Sequence, residues 1–288
     1  MTLKIRIFSS FGDSNACKDI YERLCESPSL SKYGINKEIY ITNDDDYTHV
    51  LILNTAMPDI NHIPKQNVVG LAFEPPVFLG LTEEFVQYAI KYIGKYYIGD
   101  KHGLPEPFIE GFSFMWHNPP LKQLPVKTKM ISIMVSDKAA QEGHKYRHEL
   151  VKKILKTNLP IAIYGRGCKF YKHLNDPRIR GEFVEGEPYN DFKYHICIEN
   201  CQTNHYFSEK IMNPLLANTI PIYLGCRNID SYFPNMVIKL SGNTEEDISM
   251  LKALIIDTKF EKPTDINIDI EKVKNTIYLL RNIDTVFT

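Results

Sequence analysis

One tryptophan in 288 residues, no Cys-x-x-Cys pair and no apolar run near the roughly 18 residues that a membrane span requires are the first features of this sequence. The six cysteines, Cys17, Cys25, Cys168, Cys197, Cys201 and Cys226, lack zinc-ligand spacing, so they read as buried free thiols of a reducing compartment. Charge of one sign is also missing. With 34 Lys+Arg against 35 Asp+Glu the net charge is -1, which gives no overall field toward nucleic acid or an anionic membrane. Any anion must therefore be met locally. Gly34, Gly94 and Gly99 form no Gly-x-Gly-x-x-Gly after a strand, which removes the nicotinamide fingerprint. Charges at Lys4 and Arg6 interrupt the first apolar run, unlike a signal peptide.

What is present is an ordinary globular composition, 43% hydrophobic and 24% charged, in a chain long enough for two cores. Short β-rich runs at Lys4–Phe8, Val50–Asn54, Val68–Phe73 and Tyr96–Gly99 alternate with amphipathic stretches at Ala16–Glu26 and Thr82–Ile93. This is the grammar of βαβ units. The segment Asn118–Pro125 holds three prolines and interrupts it; the grammar restarts at Met130–Val135. Helices are expected at Gly143–Thr157, Ser208–Ala217, Glu245–Asp257 and Ile270–Asn282, and strands at Ile161–Tyr164, His195–Ile198, Ile220–Leu224 and Val237–Leu240. The expectation is an α/β protein of two Rossmann-like, doubly wound domains facing a cleft. Residues 1–117 form the first, 118–128 a linker, 129–270 the second, and 271–288 a terminal helix that crosses back to the first.

In open α/β sheets ligands bind beyond the carboxyl ends of the strands, which directs attention to Glu74, to Ser136–Arg147 and to Glu199–Lys210. The last segment is the richest. A strand ends in Glu199-Asn200, a polar loop follows, and a helix opens on Ser208-Glu209-Lys210. Ser208 suits an N-cap, but a lysine in the first turn opposes the helix dipole. Such a cation fits an anionic ligand, a phosphate held by backbone N–H groups and Lys210 together, with Glu209 free to accept from a sugar hydroxyl. The plain alternative is a solvated Glu–Lys pair on a surface helix.

Three ordered stretches, Tyr194-His195-Ile196-Cys197-Ile198-Glu199-Asn200, Tyr206-Phe207-Ser208-Glu209-Lys210-Ile211 and Asn218-Thr219-Ile220-Pro221-Ile222-Tyr223-Leu224-Gly225, together resemble the α1,3/4-fucosyltransferases of glycosyltransferase family ten. Ser208 stands where the family has Thr. Upstream, Ile131–Asp137, Arg147 and Ile161–Gly167 are similar to the family's strand, downstream arginine and Tyr-Gly turn, with Asp137 where Asn is common. Val69–Pro76 is similar to its strand leading into a Glu followed by Pro. Pro214 implies that the helix after Lys210 is kinked or ends early.

The resemblance implies a GT-B enzyme, inverting and metal-independent, that moves L-fucose from GDP-fucose to a hydroxyl of a glycan or glycoconjugate, α1,3-linked. It implies that Glu74 is the catalytic base, that Arg147 and Lys210 bind the donor diphosphate, and that Ser136, Tyr164, Gly165, Asn200, Tyr206 and Glu209 contact nucleotide or sugar. The chemistry agrees: a sugar hydroxyl is a poor nucleophile and needs a base, and two fixed cations offset the charge of a departing diphosphate. No metal and no cofactor besides the donor is expected, and no nucleic acid or membrane partner. Asn43-Asp44-Asp45-Asp46 reads as an acidic loop rather than a metal site. The family's animal members carry a membrane anchor and lumenal disulfides; neither is read here, and a soluble cytoplasmic enzyme is expected. The loops Phe11–Asn15 and Pro75–Leu81, expected on the acceptor side, carry no recognisable code. Another nucleotide-linked deoxyhexose donor, and a binding module without turnover, stay open as alternatives.

Overall fold

The computed structural model describes residues 2–24, 38–259 and 266–287. The chain divides into two compact units. The first comprises the described residues up to Pro120, Thr203–Tyr206 and those from Lys274 onward; the second comprises Leu121–Gln202 and Phe207–Val273.

The first unit contains β1 (Thr2–Ser9), α1 (Ser14–Arg23), β2 (Glu38–Ile41), β3 (His49–Leu53), β4 (Val68–Leu71), α2 (Pro76–Leu79), α3 (Glu83–Tyr92), β5 (Lys95–Ile98) and β6 (Phe108–Glu110). Its strands form one parallel sheet in the order β2-β1-β3-β4-β5-β6. Period-two alternation assigns the core residues to opposite faces. Leu51, Leu53, Val69 and Leu71 join Leu3, Ile5, Ile7 and α1 on one face, while Val50, Ile52, Val68 and Tyr96 pack with Phe85 and Ala89 of α3 on the other. Covering both faces explains why β3 and β4 are buried at every residue and read as unbroken apolar runs. Asp13 caps α1 by accepting from the Ala16 N–H at 2.9 Å, and Thr82 caps α3 by accepting from that of Phe85 at 3.1 Å.

The second unit contains β7 (Lys129–Met134), α4 (Glu142–Leu155), β8 (Ile161–Tyr164), β9 (Ile179–Gly181), α5 (Glu187–Asn190), β10 (Phe192–Ile198), α6 (Glu209–Leu216), β11 (Ile220–Leu224), β12 (Ile238–Lys239) and α7 (Thr244–Lys259). These strands are also parallel, in the order β12-β11-β10-β7-β8-β9. Connections leave β7 and β10 in opposite directions, so a topological switch point lies between them, where α/β sheets bind ligands.

The chain ends in α8 (Ile270–Ile277) and α9 (Ile283–Phe287). The single helix expected over Ile270–Asn282 is interrupted at Tyr278, whose backbone is extended, and a 3-10 turn over Leu279–Asn282 follows. The reason is packing. The break turns Leu279, Leu280, Ile283 and Val286 into the core that covers β1, and the Asn282 side-chain amide donates to the carbonyls of Asn275 and Tyr278 at 2.8 Å each. Pro214 lies inside α6, which ends two residues later at Leu216. Other boundaries differ from the sequence expectation by a few residues, and β2, β6, β9, α2 and α5 were not anticipated by it. The end of the helix expected over Ala16–Glu26 lies outside the described residues, as does Cys25. Cys17, Cys168, Cys197 and Cys226 are buried free thiols, whereas Cys201 is half-buried. No helix among the described residues is long and apolar enough to cross a membrane.

Candidate functional site

The switch point of the second sheet opens into a pocket of about 320 Å³, the low end of the range for small-molecule sites. Its lining comes from the ends of β7 and β10, the turn after β8, and α4 and α6: Val135, Ser136, Arg147, Gly165, Arg166, Phe183, His195, Glu209 and Lys210 are among the residues that form it. Of the residues expected at a donor site, the fold brings Ser136, Arg147, Gly165, Glu209 and Lys210 to this one pocket. Asn200, Tyr164 and Tyr206 do not line it. Tyr164 is buried at the end of β8, and Tyr206 is buried in the first unit, where its Cβ lies against Gly99.

Two backbone approaches set the pocket floor. Gly143, in the first turn of α4, lies so close to the end of β10 that a Cβ there would meet the Glu199 carbonyl at 1.8 Å, and its N–H donates to the Asn200 carbonyl at 3.1 Å. Only glycine permits that seating, which puts Arg147 one turn later with its guanidinium donating to the Ile198 carbonyl. Gly165, at φ +104°, turns the chain after β8, where a Cβ would strike the Val135 carbonyl at 2.4 Å.

Lys210 is held by Glu199, a residue to which the sequence reading gave no role. The Glu199 carboxylate is buried and accepts from the Ser208 N–H at 2.8 Å and from the Ser208 hydroxyl at 2.7 Å. Its second oxygen stands 3.5 Å from Lys210 Nζ. The ammonium also donates to Ser208 Oγ and to Glu209, each at 3.0 Å. Ser208 caps α6 as anticipated, accepting from the Lys210 N–H at 3.4 Å. Burial pulls the Lys210 pKa down, but Glu199 and Glu209 outweigh it and leave it above its ordinary value. Burial lowers that of Arg147, opposed by Glu199 and Glu209, without bringing a guanidinium near deprotonation. Burial pushes the Glu209 carboxyl up, yet the charge and hydrogen bond of Lys210 hold it below the usual carboxylate range. The pocket therefore presents two charged donors at neutral pH.

Two polar atoms at this end of the sheet are unsatisfied within the protein: Ser136 Oγ and Asn200 Oδ1 are buried with no hydrogen-bond partner. Such groups cost free energy unless a ligand or water meets them. Beneath, His195 is buried with Nδ1 2.7 Å from Ser132 Oγ, and burial together with Arg147 depresses its pKa to about 3, so the imidazole is neutral. Phe183, also missed by sequence, lines the pocket while more than a third exposed. A signal for Glu199 was present, an acid closing the apolar end of a strand, Ile196-Cys197-Ile198; for Phe183, inside an irregular loop, there was none.

In the first unit Glu74 is half-buried just beyond β4, two residues before α2. The preceding Phe73 N–H donates to Asn54 Oδ1 at 2.8 Å, and Asn54, with φ 54° at the end of β3, fixes that exit. The acidic loop is occupied in ion pairs: Asp45 with Arg6 at 2.7 Å, and Asp46 with Lys4. Among the described residues no group of three His, Cys, Asp or Glu side chains could hold a metal ion.

Comparison with known proteins places this arrangement in a class. The whole chain superposes on an α1,3-fucosyltransferase crystal structure with a TM-score of 0.52 at 14% identity, over 99% of this chain and 92% of that one. It superposes on Anabaena Alr3699/HepE in complex with UDP and glucose with a TM-score of 0.58 at 9% identity, over 99% and 98% of the two chains. The fold is that of the GT-B glycosyltransferases. Residues 124–240 match the model of the glycosyltransferase family 10 (fucosyltransferase) C-terminal domain. It is 29% identical over 103 residues to a fucosyltransferase-like protein of Arabidopsis thaliana, covering 36% of this chain and 18% of that protein. It is 28% identical over 127 residues to human 4-galactosyl-N-acetylglucosaminide 3-alpha-L-fucosyltransferase 9, covering 43% and 32%. The chain thus spans about a third or less of the length of these curated relatives.

Proposed function

We propose that the protein transfers L-fucose from GDP-fucose to a hydroxyl of a glycan acceptor, with inversion, without a metal, and in α1,3 linkage. The observation that carries this reading is the pair Arg147 and Lys210 on one pocket at the switch point of the sheet, inside the segment that matches family 10. Two fixed cations suit a diphosphate whose charge grows as it leaves, and they supply the neutralisation for which other transferases use a divalent ion. The unsatisfied Ser136 hydroxyl adds a hydrogen-bonding group on the same wall. Glu209, half exposed and held ionised by Lys210, can accept from a hydroxyl of the sugar or ribose.

In this reaction Glu74 takes the proton of the acceptor hydroxyl as its oxygen attacks the anomeric carbon. The C–O bond to the β-phosphate breaks on the opposite face, and GDP departs against Arg147 and Lys210. A β-linked donor gives an α-fucoside. The name of the human relative, a 4-galactosyl-N-acetylglucosaminide 3-α-L-fucosyltransferase, makes N-acetyllactosamine the first acceptor to assay.

Lys210→Ala and Glu74→Gln test the assignment. Removal of one positioned charge-stabilising donor lowers turnover roughly 100- to 1000-fold, and loss of the base should act at least as strongly; melting should change little in Glu74→Gln but fall in Lys210→Ala, which leaves the buried Glu199 without its cation. Near-normal transfer in both would overturn it. Thermal shifts with GDP, UDP and GDP-fucose separate a fucose donor from another nucleotide sugar, and binding without transfer to any acceptor would favour a module that lacks turnover.

A further inference from the structure

At the carboxyl ends of β1 and β4 the first unit carries three aromatic rings in mutual contact. Phe11 lies 5.5 Å from Trp116 and 6.0 Å from Phe73, and Phe73 lies 5.4 Å from Trp116, centroid to centroid. Trp116 rests in turn on the buried Tyr21 at 6.2 Å. The cluster is anchored from below yet open above, for Phe11 is 49% exposed. Its position is held: Ser9 Oγ accepts from the N–H groups of Phe11 and Gly12 at 3.2 Å each, and Asn54 fixes Phe73. An aromatic ring fully buried gains about 1.5–3 kcal/mol over one left in water. A turn that keeps Phe11 half in solvent forgoes part of that gain. The place is also significant, because Glu74 directly follows Phe73 and the switch point of this sheet lies between β1 and β3.

We propose that Phe11, carried on Phe73 and Trp116, is the platform on which the apolar face of an acceptor pyranose lies. This rests on reading Glu74 as the base. A pyranose presents C–H bonds on one face and hydroxyls around its edge, so an exposed aromatic ring binds the face and leaves an edge hydroxyl for a neighbouring carboxylate. A rigidly held ring adds affinity with little ordering cost. The platform selects by the stereochemistry of the ring's face: sugars whose axial hydroxyls roughen both faces bind less well than those with one continuous C–H face.

The sequence supplies its own probe, because Trp116 is the sole tryptophan and sits within the cluster. Its emission is followed during titration with N-acetyllactosamine, methyl β-galactopyranoside and methyl β-N-acetylglucosaminide. At least one sugar should give a saturable change. Phe11→Ala should weaken that binding and raise the acceptor KM about tenfold, the size expected for one lost aromatic contact, and Phe11→Tyr should restore both. GDP affinity should stay within about twofold in each variant. No emission change with any of the three sugars, or Phe11→Ala binding them as tightly as the parent, would overturn the platform. Failure of the parent protein to bind GDP would instead count against the donor reading, and a Phe11-dependent sugar signal would stand regardless.

Discussion

At the scale of single residues, Glu199 is the side chain on which the proposed donor pocket turns, though it contributes none of the lining. Its two oxygens are divided between the amide and hydroxyl of Ser208 and the ammonium of Lys210, so the cap of α6 and the cation in its first turn are positioned by one buried carboxylate. Glu199→Gln keeps the volume and can keep an oxygen on the Ser208 N–H, but then turns the acceptor facing the Lys210 ammonium into a donor, and it removes the charge that raises the Lys210 pKa. Hydrogen bonds to a charged group contribute about 1.5–3 kcal/mol, so the donor kcat/KM should fall roughly 10- to 100-fold. The direction in pH follows. A diphosphate needs Lys210 protonated, so binding is lost as pH rises through its pKa; with Glu199 neutralised that pKa drops, and the alkaline loss should begin at lower pH than in the parent. A donor pH profile superimposable on the parent's would show that Glu199 only packs. Glu199→Asp, which keeps the charge, should recover part of both effects.

At the scale of elements, the runs that read most clearly were those that the sheets bury on both faces. Ile161–Tyr164 and Ile220–Leu224 coincide with β8 and β11, because a covered parallel strand is apolar at every position. Elements of three or four residues, such as β6, β9, α2 and α5, are too short to show a period, and neighbouring packing determines them. Arg147 and Lys210 could be placed at one site through their motifs; Glu199 and Phe183 required the path of the chain between strands. Lys127 is a further case. Read as part of a linker, it instead fastens three segments of the second unit: its ammonium donates to the carbonyls of Asn190 at 2.8 Å and Ala217 at 2.6 Å and to Thr219 Oγ1 at 2.7 Å. Burial pushes its pKa down to about 8, against the pull of Asp191. Lys127→Met would leave those acceptors unmet, and we expect a loss of about 2 kcal/mol in chemical denaturation with GDP affinity unchanged. Unaltered stability would mean that water replaces the ammonium at no cost.

At the scale of the whole molecule, a net charge of -1 conceals an uneven distribution of titratable strain. His144, His148 and His195 all belong to the second unit, and burial lowers the pKa of each, in every case with Arg147 among the further causes. Groups depressed in this way bind protons more readily in the unfolded chain. Their stabilising contribution is present above the unfolded histidine value of about 6.5 and is lost as pH falls toward the folded value, which for His195 is about 3. At pH 5 His195 alone should cost about 2 kcal/mol, at 1.36 kcal/mol for each of the 1.5 units between 6.5 and 5. Carboxylates held low by cations, such as Asp176 by Arg178, add their loss only at more acid pH, through the carboxylate range. The melting temperature should therefore fall between pH 7.5 and pH 5, where the histidines alone among these groups act. His195→Asn, which can keep a hydrogen bond to Ser132, should flatten that slope while lowering stability at pH 7.5. A slope unchanged by the substitution would show that His195 reaches water and titrates normally in the folded protein, and would move the floor of the proposed donor pocket from neutral to cationic at mildly acid pH.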